Sequence, residues 1–220
     1  MSITIHNKKI SRVMIVDDDP EARVGYGYPV EDLGLEPVMM EGPVDTAESF
    51  VAEAEQLADA VVCDYHLKKH DYAKCDGDIL VAECHKAGIP GMLCTTFTDV
   101  NVTIRRDCLR YIPALLKTNS PEPEALTTAW SKGLCEIGGT FHPTRKPRRT
   151  LVRVAEVDEE GRYLYAIVPA WDPQQKIRLY EDSLSDEIRD LVEPGRRFHA
   201  LVNIGAESHE DLFFDDWESK

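Results

Sequence analysis

Along residues 1–138, short apolar runs alternate with stretches of helical periodicity. Val13-Met14-Ile15-Val16 is wholly apolar and is closed by Asp17, Asp18 and Asp19. Such a run predicts a strand buried on both faces, as inside a parallel sheet. Val38-Met39-Met40, Ala60-Val61-Val62-Cys63-Asp64, Met92-Leu93-Cys94-Thr95-Thr96 and the stretch 111–117 are the further strand candidates. Between them, Ala47, Phe50, Val51, Ala54 and Leu57 recur at helical spacing, which predicts a helix over 45–58. Further helices are predicted over 20–32, 79–87, 100–109 and 122–137. Gly25, Gly27 and Pro29 make the first of these short or irregular, and Gly88 closes the second. Alternating strands and helices imply an α/β fold: a doubly wound, five-stranded parallel sheet with helices on both faces.

After Gly138-Gly139 the period switches to two. Leu151, Arg153 and Ala155 alternate with Val152, Val154 and Glu156, and strand candidates recur at 163–169, 177–180, 198–204 and 212–214. A short helix over 186–192, with Ser185 as a cap candidate, precedes the fourth strand. This pattern predicts a second, smaller, mostly-β domain of OB-like or SH3-like barrel type. Residues 1–138 then form the first domain and 151–220 the second. The Pro- and Arg-rich stretch 139–150, with Arg145, Lys146, Arg148 and Arg149, reads as a linker.

Composition narrows the function classes. A formal net charge of −15 opposes broad binding to nucleic acid or anionic membranes. The six cysteines contain no CxxC pair and several lie in apolar runs, so they read as reduced core residues. His66, His70 and Cys75 are spaced too irregularly to favour a metal site. The N-terminal segment lacks an apolar signal-peptide core, and no run is long enough to span a membrane, so a cytoplasmic protein is expected.

The chemistry-bearing residues stand at the ends of the predicted strands: Asp17 to Asp19, Asp64, Thr95 and Lys117. Right-handed crossovers bring such ends to one edge of a parallel sheet, where open α/β folds bind their ligands. Taken alone, the Asp17–Asp19 cluster suits either a helix-capping loop or a hard divalent cation such as Mg²⁺. An Asp is a competent nucleophile for an acyl phosphate, and phosphoryl transfer depends mainly on positioning and charge neutralisation.

In element order and in these residues, about residues 10 to 138 resemble the receiver domain of two-component response regulators. The resemblance implies Asp64 as phosphoacceptor and Asp17, Asp18 and Asp64 as Mg²⁺ ligands, with the backbone carbonyl of His66 completing the site. It also implies Thr95 as the hydroxyl that follows the phosphate and Lys117 as its cationic partner. Asp19 is an alternative register for the acidic pair. Two departures are visible. The stretch from Tyr65 to Cys75, ahead of Asp76-Gly77, is longer than the family's loop. Ala114 and Thr118 replace the family's aromatic switch residue and the Pro after the Lys.

The implied function is a phosphorylated signalling protein, not an enzyme beyond slow self-dephosphorylation. Its upstream partner would be a histidine kinase or phosphotransfer protein, with a homodimer left open. The second domain has no helix-turn-helix pattern, and the acids of 207–218 surround Leu212, Phe213 and Phe214. A downstream protein partner is therefore favoured over single-stranded nucleic acid, despite the aromatic residues and basic patches at 145–149 and Arg196-Arg197. The competing expectation is a receiver-like scaffold subunit that is not phosphorylated.

Overall fold

The structure is a computed structural model that describes every residue except 69, 70, 97–103, 119, 159, 161 and 220. The described chain divides into two compact units. One holds residues of 1–100 and 111–140, the other those of 101–110 and 141–220.

The first unit is the expected doubly wound α/β fold. Its parallel sheet has the order β4-β3-β5-β6-β7, built from Arg12–Val16 (β3), Glu36–Met40 (β4), Ala60–Asp64 (β5), Gly91–Cys94 (β6) and Leu115–Leu116 (β7). Helices α1 (Pro20–Asp32) and α5 (Pro123–Ile137) pack on one face, α2 (Ala47–Leu57) and α3 (Gly77–Lys86) on the other. The core of the α1/α5 side joins Val13, Ile15, Val62 and Met92 to Tyr26, Val30, Leu126 and Trp130. β7 is shorter than the apolar run suggests because Pro113 can offer no ladder donor.

Helix α1 keeps its full thirteen residues despite Gly25, Gly27 and Pro29. Burial of Tyr26 and Val30 outweighs weak propensity, and a side chain at Gly27 would start 2.9 Å from Met39 Cε. Residues 3–10, to which the sequence pattern assigns no element, form an antiparallel hairpin of β1 (Ile3–Ile5) and β2 (Lys8–Ile10). Its turn puts both His6 and Asn7 at positive φ, the twist that two-residue hairpin loops require. The hairpin packs on α5 through β1 and buries Ile10 completely.

The second unit is a five-stranded antiparallel sheet of order β10-β9-β8-β11-β12. Its strands are Arg148–Val157 (β8), Tyr163–Val168 (β9), Asp172–Tyr180 (β10), Arg197–Val202 (β11) and Phe214–Ser219 (β12). The short helix α6 (Asp186–Arg189) precedes the fourth strand, ending earlier than the pattern suggests. One face of the sheet supplies a core of Val152, Val154, Leu164, Ala166, Ile177, Leu179, Phe198 and Val202, closed by Leu184, Ile188 and Phe214.

Two stretches assigned above to the first domain and to a linker belong to this second unit. α4 is the single turn Arg106–Leu109, and the expected helix start at Val100 lies outside the described residues. Arg106 is 7% exposed and donates from Nη1 to the carbonyls of Glu210 (2.5 Å) and Leu212 (3.0 Å). Arg145 donates from Nη2 to the carbonyls of Leu109 (3.3 Å) and Arg110 (3.1 Å). The fully buried Asn203 donates to the carbonyls of Thr144 and Asp211 and accepts from the Phe213 N–H. Thr144 and Arg145 are thus held within the second unit.

Arg106→Ala leaves the buried Leu212 carbonyl and the partly buried Glu210 carbonyl without their charged donor. It should lower the stability of the second unit by about 2–4 kcal/mol, since bonds to charged groups contribute roughly 1.5–3 kcal/mol each. A denaturant midpoint indistinguishable from the wild-type value would count against this reading of the clamp.

Candidate functional site

Strand register assembles the site. Val16 pairs with Cys63, so Asp17 and Asp64 leave neighbouring strands at the same level. Asp64 pairs with Cys94 and Cys94 with Leu116, which places Thr95 and Lys117 one residue beyond the same edge. The Thr95 N–H donates to the Leu116 carbonyl at 3.0 Å and the Tyr65 N–H to the Cys94 carbonyl at 2.9 Å, extending the ladder past the strand ends. All six side chains singled out from the sequence therefore come to one edge of the first unit, on four adjacent strands or the residues just after them. Asp17, Asp18 and Thr95 are buried, Asp64 is partly so, and His66 and Lys117 are exposed.

The three acids after β3 have separate surroundings. Asp17 Oδ1 accepts the Asp19 N–H at 2.7 Å, and its backbone carbonyl accepts from Arg23 Nη1. Asp19 points outward as the N-cap of α1, its carboxylate accepting the Glu21 N–H at 2.9 Å. The helix-capping role thus falls on the third acid, leaving Asp17 and Asp18 as the buried pair. Asp64 Oδ2 accepts the His66 N–H at 2.8 Å, which fixes the start of the following loop.

Burial pushes the Asp17 carboxyl up to about 6, with Asp64, Asp18 and Asp19 adding repulsion and the Asp19 N–H opposing it. Burial raises Asp64 as well, countered chiefly by the backbone N–H groups of His66 and Tyr65. The nearby Cys63 and Cys94 thiols are held protonated by their burial, with Asp64 adding to the effect. Crowded, oxygen-only donors that disfavour their own ionisation suit a hard divalent cation. Mg²⁺ typically uses one or two carboxylates and retains several waters. Among the described residues no group of three or more His, Cys, Asp or Glu could hold a metal by itself. A carboxylate pair with water is the arrangement the residues fit.

The long loop after Asp64 is organised by its own contacts. Leu67 is fully buried, and its carbonyl accepts the Ala73 N–H. Tyr72 is buried, donates to the Met40 carbonyl at 2.6 Å, and lies under the Arg23 guanidinium. Lys68 pairs with Asp76 at 2.5 Å. Lys69 and His70 lie outside the described residues.

Gly77 is the positioning residue that charge and spacing did not single out. It opens α3 hard against β5, its N–H donating to the Tyr65 carbonyl at 2.8 Å. A Cβ there would fall 1.9 Å from the Asp64 carbonyl oxygen and 2.8 Å from Cys63 Sγ. The Asp76-Gly77 pair was the available signal, and its meaning is this close approach.

No protein-family model and no curated protein matches the sequence. Among solved structures, the chain is similar to a response regulator receiver domain protein from Clostridium thermocellum, at 13% identity and a TM-score of 0.43, covering 58% of this chain and 97% of that one. The signal receiver domain of a modulated diguanylate cyclase from Desulfovibrio desulfuricans is similar at 21% identity and a TM-score of 0.44, with 58% and 95% covered. The structure titled FixJ-N is similar at 17% identity and a TM-score of 0.40, with 56% and 93% covered.

Proposed function

We propose that the protein is a response-regulator-like signalling protein whose Asp64 accepts a phosphoryl group. The observation that carries this reading is the register that sets Asp17, Asp64, Thr95 and Lys117 along one sheet edge. An Asp64 oxygen attacks phosphorus, the bond between phosphorus and the donor's leaving group breaks, and an aspartyl phosphate remains. Lys117 offers a compact positive charge to a phosphoryl oxygen, and the Thr95 hydroxyl a donor. Asp17 and Asp18, with the His66 carbonyl, would hold Mg²⁺, whose contribution when bound is to neutralise charge on the phosphoryl oxygens. The Asp19 N–H bond to Asp17 and the Asp19 cap of α1 fix the shape of the acidic turn. A histidine kinase or phosphotransfer protein is the upstream partner that this chemistry suits, and the second unit carries the output by binding another macromolecule.

Incubation with Mg²⁺ and a small acyl phosphate, followed by intact-mass measurement, tests the reading. One added phosphoryl group is expected, absent in Asp64→Asn and strongly reduced in Lys117→Ala. A wild-type protein that gains no mass, or a gain that survives Asp64→Asn, supports the scaffold reading instead.

A further inference from the structure

The second sheet brings basic and aromatic residues that are remote in sequence onto its outer face. Val152, Val154, Leu164, Ala166, Ile177 and Leu179 turn inward, so by strand alternation their neighbours turn outward. Arg153 on β8 and Arg197 on β11 are register partners, directly opposite one another and both exposed. Directly opposed like charges weaken a sheet. Neither arginine has an ion-pair partner among the described residues, whereas Arg149 is paired with Glu218 and Lys176 with Glu156. Across β9, Tyr165 is the register partner of Arg178 on β10. Tyr163 and Tyr165 meet edge to face with centroids 5.7 Å apart. The Arg178 guanidinium lies 4.2 Å from the Tyr163 ring centre and 4.8 Å from that of Tyr180, which is itself 42% exposed.

We propose that this face, centred on Arg153, Arg197, Tyr165 and Arg178, binds single-stranded nucleic acid. Two unneutralised guanidiniums across one strand pair call for an anion that relieves their repulsion. The adjoining tyrosines offer planar surfaces on which unpaired bases stack. An acidic polypeptide would satisfy the arginines but would supply no repeated planar partner for the tyrosines. The basic run at 145–149 contributes little to this surface, because Arg145 is committed to backbone carbonyls and Arg149 to Glu218. The chain's charge of −15 does not prevent binding: Glu156, the register partner of Tyr165, is paired with Lys176, and acids more than about 8 Å away are largely screened at physiological salt.

This inference deepens the output half of the proposed function and is independent of Asp64, so the unphosphorylated full chain is the material to assay. Fluorescence anisotropy with labelled mixed-sequence single-stranded DNA and RNA oligonucleotides should show binding at low salt. The affinity should fall with salt at a log–log slope of about −2, near −0.7 per phosphate contacted by three arginines. Arg153→Glu with Arg197→Glu should weaken binding at least about tenfold and flatten the slope by about 1.4. Tyr165→Ala should weaken it by about tenfold with the slope unchanged. Unaltered thermal unfolding of the variants will confirm that they fold. Absence of binding at low salt, binding that these variants leave unaltered, or equal capture of a poly-glutamate chain would each overturn the proposal.

Discussion

Replacing Gly77 with alanine is expected to disrupt the candidate site more than the same change at any other described glycine. The new Cβ would meet the Asp64 carbonyl oxygen at 1.9 Å, and that oxygen belongs to the backbone, not to the movable end of a flexible side chain. Ordinary overpacking costs about 1–3 kcal/mol because side chains can adjust. Here the backbone of α3 or of β5 must move, so a loss at or above that range is expected. Whichever moves, the Asp64 carboxylate leaves its level beside Asp17, and phosphorylation should fall in step with stability. Gly25→Ala is the internal contrast. No atom lies within 4 Å of a Cβ there, and the residue sits inside α1, so up to about 1 kcal/mol of stabilisation is expected. Thermal unfolding of the two variants beside the wild type checks both signs. A Gly77→Ala protein of wild-type stability would refute the close approach.

The second large effect concerns Asp17. Its carboxyl titrates at about 6 in the folded chain against an ordinary value of 3.8, so the folded state binds a proton that the unfolded state has already released. Stability from this residue is therefore greatest below 3.8 and is lost as pH rises from there through about 6, after which the penalty is constant. At about 1.4 kcal/mol per unit, the penalty at neutral pH amounts to about 3 kcal/mol.

Asp17→Asn removes the charge while keeping an oxygen to accept the Asp19 N–H. In chelator at pH 7 the variant should be more stable than the wild type by up to about 3 kcal/mol, and the gap should close toward pH 4. Added Mg²⁺ should raise the wild-type midpoint, since a ligand that binds only the folded state stabilises it by mass action. The variant should respond less. Equal stabilities in chelator at pH 7 would mean that burial does not penalise the charged carboxyl as described.

The parallel sheet and the ends of its strands were legible because they depend on local signals. Uninterrupted apolar runs mark strands buried on both faces, and a register of parallel partners then aligns Asp17 with Asp64 and Thr95 with Lys117. The ambiguous role of Asp19 was decided by orientation, a property of the helix start that composition does not encode. The N-terminal hairpin escaped because Lys8 and Lys9 dilute its alternation, although His6-Asn7 between Ile5 and Ile10 was the available turn signal. The place of Arg106 could not be read, since its partners are backbone carbonyls about a hundred positions downstream. The same holds for the Arg153–Arg197 pair. A composition of −15 describes the average surface, whereas strand pairing decides which charges become neighbours.

The membership of Ile104–Arg110 in the second unit bears on the order in which the chain is made. These residues leave the ribosome before β7 and α5, and well before any strand of the second sheet exists. The Glu210 and Leu212 carbonyls that receive Arg106 are made later still, after β11. Until the second sheet is made, Ile104, Cys108 and Leu109, all buried in the folded chain, have no completed core to enter. The first unit can acquire its sheet as soon as α5 emerges, while the second can close only after β12 has emerged. A nascent chain stalled shortly after α5 therefore carries an apolar segment still waiting for its partner.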